Sequence, residues 1–293
     1  MPIITEESVF SELVASEACL IQKTLLPREL LLGPNFEITY LLREFSEVGG
    51  DFLDYFSLSD GKLGIYMGDV TGKGLPAAMY AALAVGALRS IHKTGVEPAA
   101  VLNLFNKRLL VRPIPSRYCA SQYAIFDPTT LELRLANAGL PLPLHLSASG
   151  CHSIGEGGLP SGLLDFATYV QGTFQLAQGD AILFATDGLS EARNKHGEPF
   201  GISRLTNLCA KLDYNDPDLF LRSVFDAIAQ FTGEQQSDDM AALLLKVHAR
   251  SVPIAGSPRL EVEHGQQSAR QPENLAPSET GKRGMPRLLI VDD

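Results

Sequence analysis

The chain has 293 residues, 45% of them hydrophobic and 20% charged, so it is long enough to bury a substantial core in one large domain or two small ones. Its formal net charge of −10 and the lack of a large basic cluster argue against binding to nucleic acid, whose phosphates require several cationic side chains. The sequence has neither a continuous apolar run of about 18 residues nor a basic N-terminus that leads into one, so we expect no membrane association and a cytoplasmic protein.

The first predicted element is an amphipathic helix. Apolar residues, among them Phe10 and Ile21, recur at helical spacing between Glu6 and Leu26. We interpret residues 1–30 as a regulatory or dimerisation helix and leave two arrangements open. The apolar stripe either packs on its own domain or contacts a second copy of the chain in a homodimer.

A β-hairpin is predicted further along the chain. Asp60 and Gly61 separate two strand-like runs, residues 52–59 and 62–68. A two-residue Asp-Gly link is a strong hairpin signal because both positions accept positive φ. In this register, residues whose numbers sum to 121 face each other.

Two acidic residues lie at the open end of this hairpin. The predicted register places Asp51 opposite Val70, with Asp69 one step away. We expect the second strand to end near Gly68, so that Asp69 lies on an irregular turn and its carboxylate can reach that of Asp51. Two carboxylates at a glycine-rich turn favour a cation, although such aspartates also serve as ordinary turn or capping residues.

The segment from Gly68 to Gly74 superficially resembles a phosphate-binding P-loop. Only three residues separate Gly68 from Gly72, where a P-loop has four, and Lys73 is followed by glycine instead of a hydroxyl residue. The spacing therefore argues against nucleotide binding by this loop.

The remaining elements alternate between strands and pairs of helices. Helices are predicted over residues 76–92, 97–112, 203–212 and 217–231. Strands are predicted over residues 35–42, 121–126, 131–137, 142–146, 169–176, 181–186 and 240–247. Sequential strands joined by short turns favour an α+β fold, an antiparallel β-sandwich flanked by pairs of α-helices, over a doubly wound parallel sheet.

The composition changes abruptly after residue 248. We predict one domain over residues 31–248 and a flexible linker rich in Pro, Gly, Ser and Gln over residues 249–285. Residues 286–293 form an apolar run that ends in two aspartates, which we interpret as the truncated start of a further domain.

Aspartates occur at the ends of four apolar strands. Asp187 follows the strand over residues 181–186, and Asp238 and Asp239 precede the strand over residues 240–247. Each alone is typical of a turn or a cap, but together with the hairpin pair they indicate a shared site. Oxygen ligands without His or Cys suit hard cations such as Mg²⁺ or Mn²⁺.

Four motifs occur in a recognisable order: EVGGDFLDYF, GDVTGKGLPAAM, FATDGLSEARN followed by GEPFG, and SDDMAALLLKV. They resemble the PPM family of metal-dependent serine/threonine phosphatases, in particular its bacterial SpoIIE/RsbU branch, over about residues 20–247. The fold that this resemblance implies has αββα layers. Residues 286–293 resemble the first strand and acidic pair of a response-regulator receiver.

The resemblance implies a set of site residues. It implies that four catalytic aspartates and one backbone carbonyl bind two Mn²⁺ or Mg²⁺ ions, and that Asp69 bridges both ions. These ligands are Asp51, Asp69, Asp187, Asp238 and the carbonyl of Val70. Further residues would support these ligands without binding the ions: Gly50, Asp54, Gly68, Gly188 and Asp239.

The resemblance also implies a reaction. It predicts hydrolysis of phosphoserine or phosphothreonine, through a water activated by the two ions, on an anti-sigma-factor antagonist or a similar phosphoprotein. One alternative is a catalytically silent pseudophosphatase that binds a phosphoprotein as a regulatory interaction module. Another is a purely structural sandwich whose aspartates are turn residues.

Overall fold

The computed structural model describes residues 17–27, 31–92, 96–233 and 235–248, all within one unit of the chain, Met1–Pro253. Of the predicted N-terminal helix, residues 17–23 are helical, and the preceding part lies outside the described residues. The predicted linker and the receiver-like segment lie outside them as well.

Most predicted elements are present, with ends that differ by no more than three residues. The strands in the described part of the chain are β1 (Leu31–Leu32), β2 (Phe36–Arg43), β3 (Phe52–Ser57), β4 (Leu63–Val70), β5 (Cys119–Asp127), β6 (Glu132–Ala138), β7 (Leu144–Ser147), β8 (Gly150–Ser153), β9 (Gln171–Gln175), β10 (Ala181–Ala185) and β11 (Met240–Val247). The helices bounded there are α1 (Gly74–His92), α2 (Pro98–Leu109), α3 (Asp187–Glu191), α4 (Ile202–Cys209) and α5 (Pro217–Thr232). The short elements β1, β8 and α3 were not predicted.

The strands form two antiparallel sheets. The six-stranded sheet has the order β1-β2-β11-β10-β7-β8, and the five-stranded sheet has the order β3-β4-β5-β6-β9. The last strand in sequence, β11, pairs along its whole length with β2 and along five residues with β10. The predicted antiparallel arrangement is therefore confirmed.

Three buried clusters define the layers. The central cluster lies between the sheets, the second lies between the five-stranded sheet and helices α1 and α2, and the third lies between the six-stranded sheet and helices α3 to α5. Residues 240–245 of β11 are all apolar because both faces of the strand are buried: Leu243 and Leu245 face the other sheet, whereas Ala242 and Leu244 face the helices. The αββα architecture is confirmed.

Helix α1 has the length and composition of a membrane span, with a mean hydropathy of 1.3 over Gly74–Ile91. In this fold, 44% of that window is buried inside the protein. Ala77, Ala81, Ala84 and Leu88 are buried in the cluster that covers the five-stranded sheet. These apolar residues therefore contribute to the domain core.

The register of the β3–β4 hairpin differs from the prediction by one residue. Paired residues have numbers that sum to 120, as for Phe52 with Gly68. The Leu58 amide donates to the Lys62 carbonyl at 2.7 Å, and Gly61 has a φ of +80°, so the loop has three residues with glycine in the left-handed region. The predicted two-residue turn is therefore wrong. A shift of one residue in the pairing of two strands matters because it exchanges the two faces of a strand.

The corrected register also changes the open end of the hairpin. Strand β4 continues to Val70, and Asp69 pairs with Ala120 of β5 rather than lying on an irregular turn. The predicted end near Gly68 is therefore wrong. Continued by one residue, the observed register places Asp51 directly opposite Asp69, so no distortion of the strand is needed to bring the two carboxylates together.

Candidate metal centre

Asp51 and Asp69 come from the five-stranded sheet. Asp51 immediately precedes β3 and is 3% exposed, and Asp69 is the penultimate residue of β4. Their carboxyl groups interact directly. The hairpin therefore delivers two acids to one point at the end of the sandwich.

Asp187 and Asp238 come from the six-stranded sheet. Asp187 begins α3 just after β10 ends, and Asp238 lies two residues before the start of β11. Because β10 and β11 are antiparallel neighbours, with Ala185 opposite Ala242, the end of one strand lies beside the start of the other. The four predicted ligands therefore belong to one cluster that both sheets contribute to.

Burial and repulsion from neighbouring acids make Asp51, Asp69 and Asp187 difficult to ionise. Burial and the charges of Asp187 and Asp238 raise the pKa of Asp69 to about 7. Burial and then the charge of Asp69 raise the pKa of Asp51 well above its ordinary value. Burial, followed by Glu191 and Asp238, raises the pKa of Asp187. A cation placed among them would relieve this cost.

Thr186 orients Asp51 and was missed in the sequence analysis. Its hydroxyl donates to Oδ2 of Asp51 at 2.7 Å and accepts from the Ala241 amide at 3.0 Å. The hydroxyl thus joins β11 to the five-stranded sheet and leaves Oδ1 of Asp51 without this restraint. Its place just before Asp187 at the strand end was the only available signal.

Lys73 holds Asp238. The Lys73 ammonium lies 3.0 Å from Oδ2 of Asp238, donates to the Ser237 carbonyl, and lies 4.9 Å from the centre of the Phe45 ring. The side chain of Asp238 is 51% exposed, so it lies at the mouth of the cluster. Sequence reasoning considered Lys73 only in excluding a P-loop.

Asp239 supports the loop that carries Asp51. One oxygen of its buried carboxylate accepts from the Phe45 amide at 2.8 Å, and the other accepts from the Gly50 amide at 2.8 Å. Both carboxylate oxygens of Asp239 are therefore occupied by backbone donors, and its supporting role stays a prediction.

We expect Asp239→Ala to lower the free energy of unfolding by about 2–3 kcal/mol, because two backbone amides lose charge-assisted hydrogen bonds. Urea unfolding in EDTA would measure the change. Asp60→Ala, which removes an exposed aspartate paired with Lys62, is the matched control and should change stability far less. Equal effects of the two substitutions would contradict the supporting role.

Three predicted supporting residues are glycines in crowded places. A Cβ at Gly50 would lie 2.7 Å from the Val70 carbonyl oxygen, and one at Gly188 would lie 1.8 Å from the Asp239 carbonyl oxygen. A Cβ at Gly68 would lie 2.2 Å from the Phe52 ring. Gly50 and Gly188 therefore allow close approach of the backbone at the cluster, whereas Gly68 makes room for core packing.

Asp54 lies elsewhere than the resemblance suggested. Its Oδ2 accepts from the Tyr66 hydroxyl at 3.0 Å and from the Arg89 guanidinium at 2.8 and 3.1 Å. Arg89 also donates to the Leu25 carbonyl at 2.9 Å. The structure brings Asp54 to α1 and the N-terminal segment, not to the other aspartates.

The donor set suits hard divalent cations, since it consists of carboxylate oxygens and the Val70 carbonyl. Because Gly50 has no Cβ, it leaves this carbonyl oxygen accessible. Among the described residues, no group of three or more His, Cys, Asp or Glu side chains is already arranged as a metal cage. The ligand assignment stays a prediction.

An αββα sandwich with aspartates at the ends of strands from both sheets defines the PP2C-like class of protein phosphatases, which are metal-dependent enzymes. Residues 59–248, about two thirds of the chain, match the family model described as Stage II sporulation protein E (SpoIIE). The chain belongs to the SpoIIE family.

Comparisons with individual proteins agree with this assignment. The chain is 23% identical over 232 residues to the phosphoserine phosphatase RsbU of Bacillus subtilis (strain 168), an alignment that covers 77% of this chain and 68% of RsbU. The SiaA PP2C domain of Pseudomonas aeruginosa has a similar fold, with a TM-score of 0.74, 23% identity, and coverage of 83% of this chain and 99% of that one. The RsbU and RsbW domains of Rv1364c from Mycobacterium tuberculosis give a TM-score of 0.65 and 26% identity, with 75% of this chain and 62% of that one covered.

Proposed function

We propose that this chain hydrolyses phosphoserine or phosphothreonine in a protein substrate. The observation that carries the proposal is the cluster of Asp51, Asp69 and Asp187 at strand ends of both sheets, where burial and repulsion from neighbouring acids raise all three pKa values. Such an anionic, partly desolvated site gains most from binding divalent cations.

The residues that would hold two Mn²⁺ or Mg²⁺ ions are Asp51, Asp69, Asp187, Asp238 and the Val70 carbonyl. When bound, such ions supply a water of lowered pKa and neutralise charge on a phosphoryl group. The chain itself contributes the positions of its carboxylates. Thr186 fixes the orientation of Asp51, and Lys73 restrains Asp238 at the mouth of the cluster.

A phosphorylated anti-sigma-factor antagonist, or a similar phosphoprotein, is the substrate that we propose. The support is the likeness to RsbU, which is named a phosphoserine phosphatase, together with membership of the SpoIIE family. We further propose that the protein acts in the cytoplasm.

The test is hydrolysis of p-nitrophenyl phosphate and of a phosphorylated antagonist protein with Mn²⁺ or with EDTA. We expect Mn²⁺-dependent turnover that Asp187→Asn lowers by on the order of a hundredfold or more, because a ligand is lost. Asp226→Asn, an exposed aspartate on α5, is the matched control and should retain wild-type turnover. Turnover that persists in EDTA or in Asp187→Asn would contradict the proposal.

One observation favours a second candidate, a pseudophosphatase that binds a phosphoprotein without hydrolysing it. Asp238, a predicted ligand, is engaged by the Lys73 ammonium at 3.0 Å. If that ion pair persisted in the presence of Mn²⁺, the ligand set would be incomplete. Binding of the phosphoprotein without turnover, in the presence of Mn²⁺, would support this alternative.

A further inference from the structure

A cavity of about 280 Å³ opens directly beside the aspartate cluster. Its wall includes Gly188, which follows a predicted ligand, and Asp238, which is one. Ile228, Ala229 and Met240 contribute apolar surface to it. The volume is slightly below the range of about 300–1,000 Å³ typical of small-molecule sites, so the cavity suits one amino-acid side chain better than a cofactor.

Arg43 is the cation in the wall of this cavity. It is the last residue of β2 and pairs with Met240 of β11, and its guanidinium carbon lies 5.5 Å from the centre of the Phe225 ring. Among the described residues, no carboxylate lies within 4.0 Å of its nitrogens. Phe225 therefore holds the guanidinium in place while its donors stay available to a ligand.

Gln236 connects this wall to the aspartate cluster. Its side-chain amide donates to the Arg43 carbonyl at 2.9 Å and to the Asp238 carbonyl at 2.7 Å. One side chain thus ties the end of β2 to the loop that carries a predicted ligand. A peptide whose phosphorylated residue reaches the cluster would place a neighbouring residue at the cavity.

We propose that this cavity is a subsite for an acidic side chain of the phosphoprotein, close in sequence to the phosphorylated residue, and that Arg43 recognises its carboxylate. The inference rests on the proposed function. A guanidinium binds a carboxylate through two parallel hydrogen bonds, and the apolar part of the cavity accommodates the methylene groups of a glutamate. On a chain with a net charge of −10, Arg43 supplies the local positive charge that an acidic segment requires.

The experiment compares phosphoserine peptides that carry Glu, Gln or Lys at each of the two positions on either side of the phosphorylated residue. Binding is measured with Mn²⁺ by fluorescence anisotropy on versions in which a phosphonate replaces the phosphate ester, so that the dissociation constant does not depend on turnover. We expect wild type to bind the best Glu peptide about tenfold more tightly than its Gln counterpart. Hydrolysis of the phosphoserine versions is measured in parallel.

The variants distinguish the outcomes. Arg43→Gln should abolish the preference for Glu, Arg43→Glu should shift it toward Lys, and Arg43→Lys should retain part of it because the charge remains. Arg222→Ala, which removes an exposed arginine of α5 paired with Asp218, should keep the full preference. If wild type shows no preference, or if Arg43→Gln keeps it, the subsite is refuted. A preference that depends on Arg43 without any turnover would support the subsite and refute the proposed function.

Discussion

Asp69→Asn is expected to abolish Mn²⁺-dependent turnover and to make the metal-free protein more stable at neutral and alkaline pH. Asp69 is the predicted bridging ligand, and burial together with Asp187 and Asp238 raises its pKa from 3.8 to about 7. Asparagine keeps the shape of the side chain but removes the charge. Catalysis would lose a ligand, and the fold would lose a source of repulsion.

The direction of the pH dependence follows from proton binding. Between about pH 4 and pH 7 the native state keeps the Asp69 proton that the unfolded state has released, so the stability of the metal-free wild type falls as the pH rises through this range. Below about pH 4 both states hold the proton, and the cost vanishes. The full cost above pH 7 is about 4 kcal/mol by the size of the shift.

Urea unfolding in EDTA at pH 5 and pH 8 would measure this effect. We expect wild type to be less stable at pH 8 than at pH 5 and Asp69→Asn to lose part of that difference, because Asp51 and Asp187 keep raised pKa values. Mn²⁺ should raise the melting temperature of wild type but not that of the variant. Asp226→Asn should match wild type in urea unfolding at both pH values and in the effect of Mn²⁺ on the melting temperature. A metal-free wild type of equal stability at both pH values would contradict the account of the cluster.

Gly188→Ala is expected to be the most damaging single methyl addition near the site. The new Cβ would lie 1.8 Å from the carbonyl oxygen of Asp239 and 3.0 Å from its carbonyl carbon. Both are backbone atoms that a rotamer change cannot move, so α3 and the start of β11 must separate. We expect a loss of stability of about 3 kcal/mol and a loss of turnover of about a hundredfold, because Asp187 and Asp238 move apart.

Gly86→Ala is the matched control for this substitution. Gly86 lies in α1 with nothing within 4 Å of an added Cβ. Alanine there should stabilise the protein by about 0.5–1 kcal/mol, because glycine is unfavourable inside a helix. Thermal unfolding and the p-nitrophenyl phosphate assay on both variants would test the pair. If Gly188→Ala were as stable and active as Gly86→Ala, the close contact at Asp239 would not constrain the site.

The order and type of most elements could be predicted because their signals are local. Strand β11 has the predicted bounds, Met240–Val247, since a run that is apolar except for Lys246, between two aspartates and a histidine, leaves little ambiguity. The hairpin register could not be predicted in the same way. Asp60 and Gly61 fit either a two-residue or a three-residue loop. Only the packing of the whole sheet decides whether Ser59 belongs to the loop or to the strand.

The supporting contacts of the site were missed for a different reason. Thr186 and Asp51 are 135 residues apart, and Lys73 reaches Asp238 from the turn before α1. No local periodicity connects such pairs. The aspartates themselves were recognisable because each follows or precedes an apolar strand, whereas a threonine or a lysine in the same position is an ordinary surface residue.

The position of β11 has a consequence for synthesis of the protein. This strand is the last in the described sequence, yet it lies between β2 and β10 in the middle of the six-stranded sheet. While the chain is still on the ribosome, β2 and β10 cannot join, and Asp187 lacks the start of β11 beside it. The nascent chain can therefore gather the four predicted ligands only after residue 247 has emerged, so that the predicted site is completed late in synthesis.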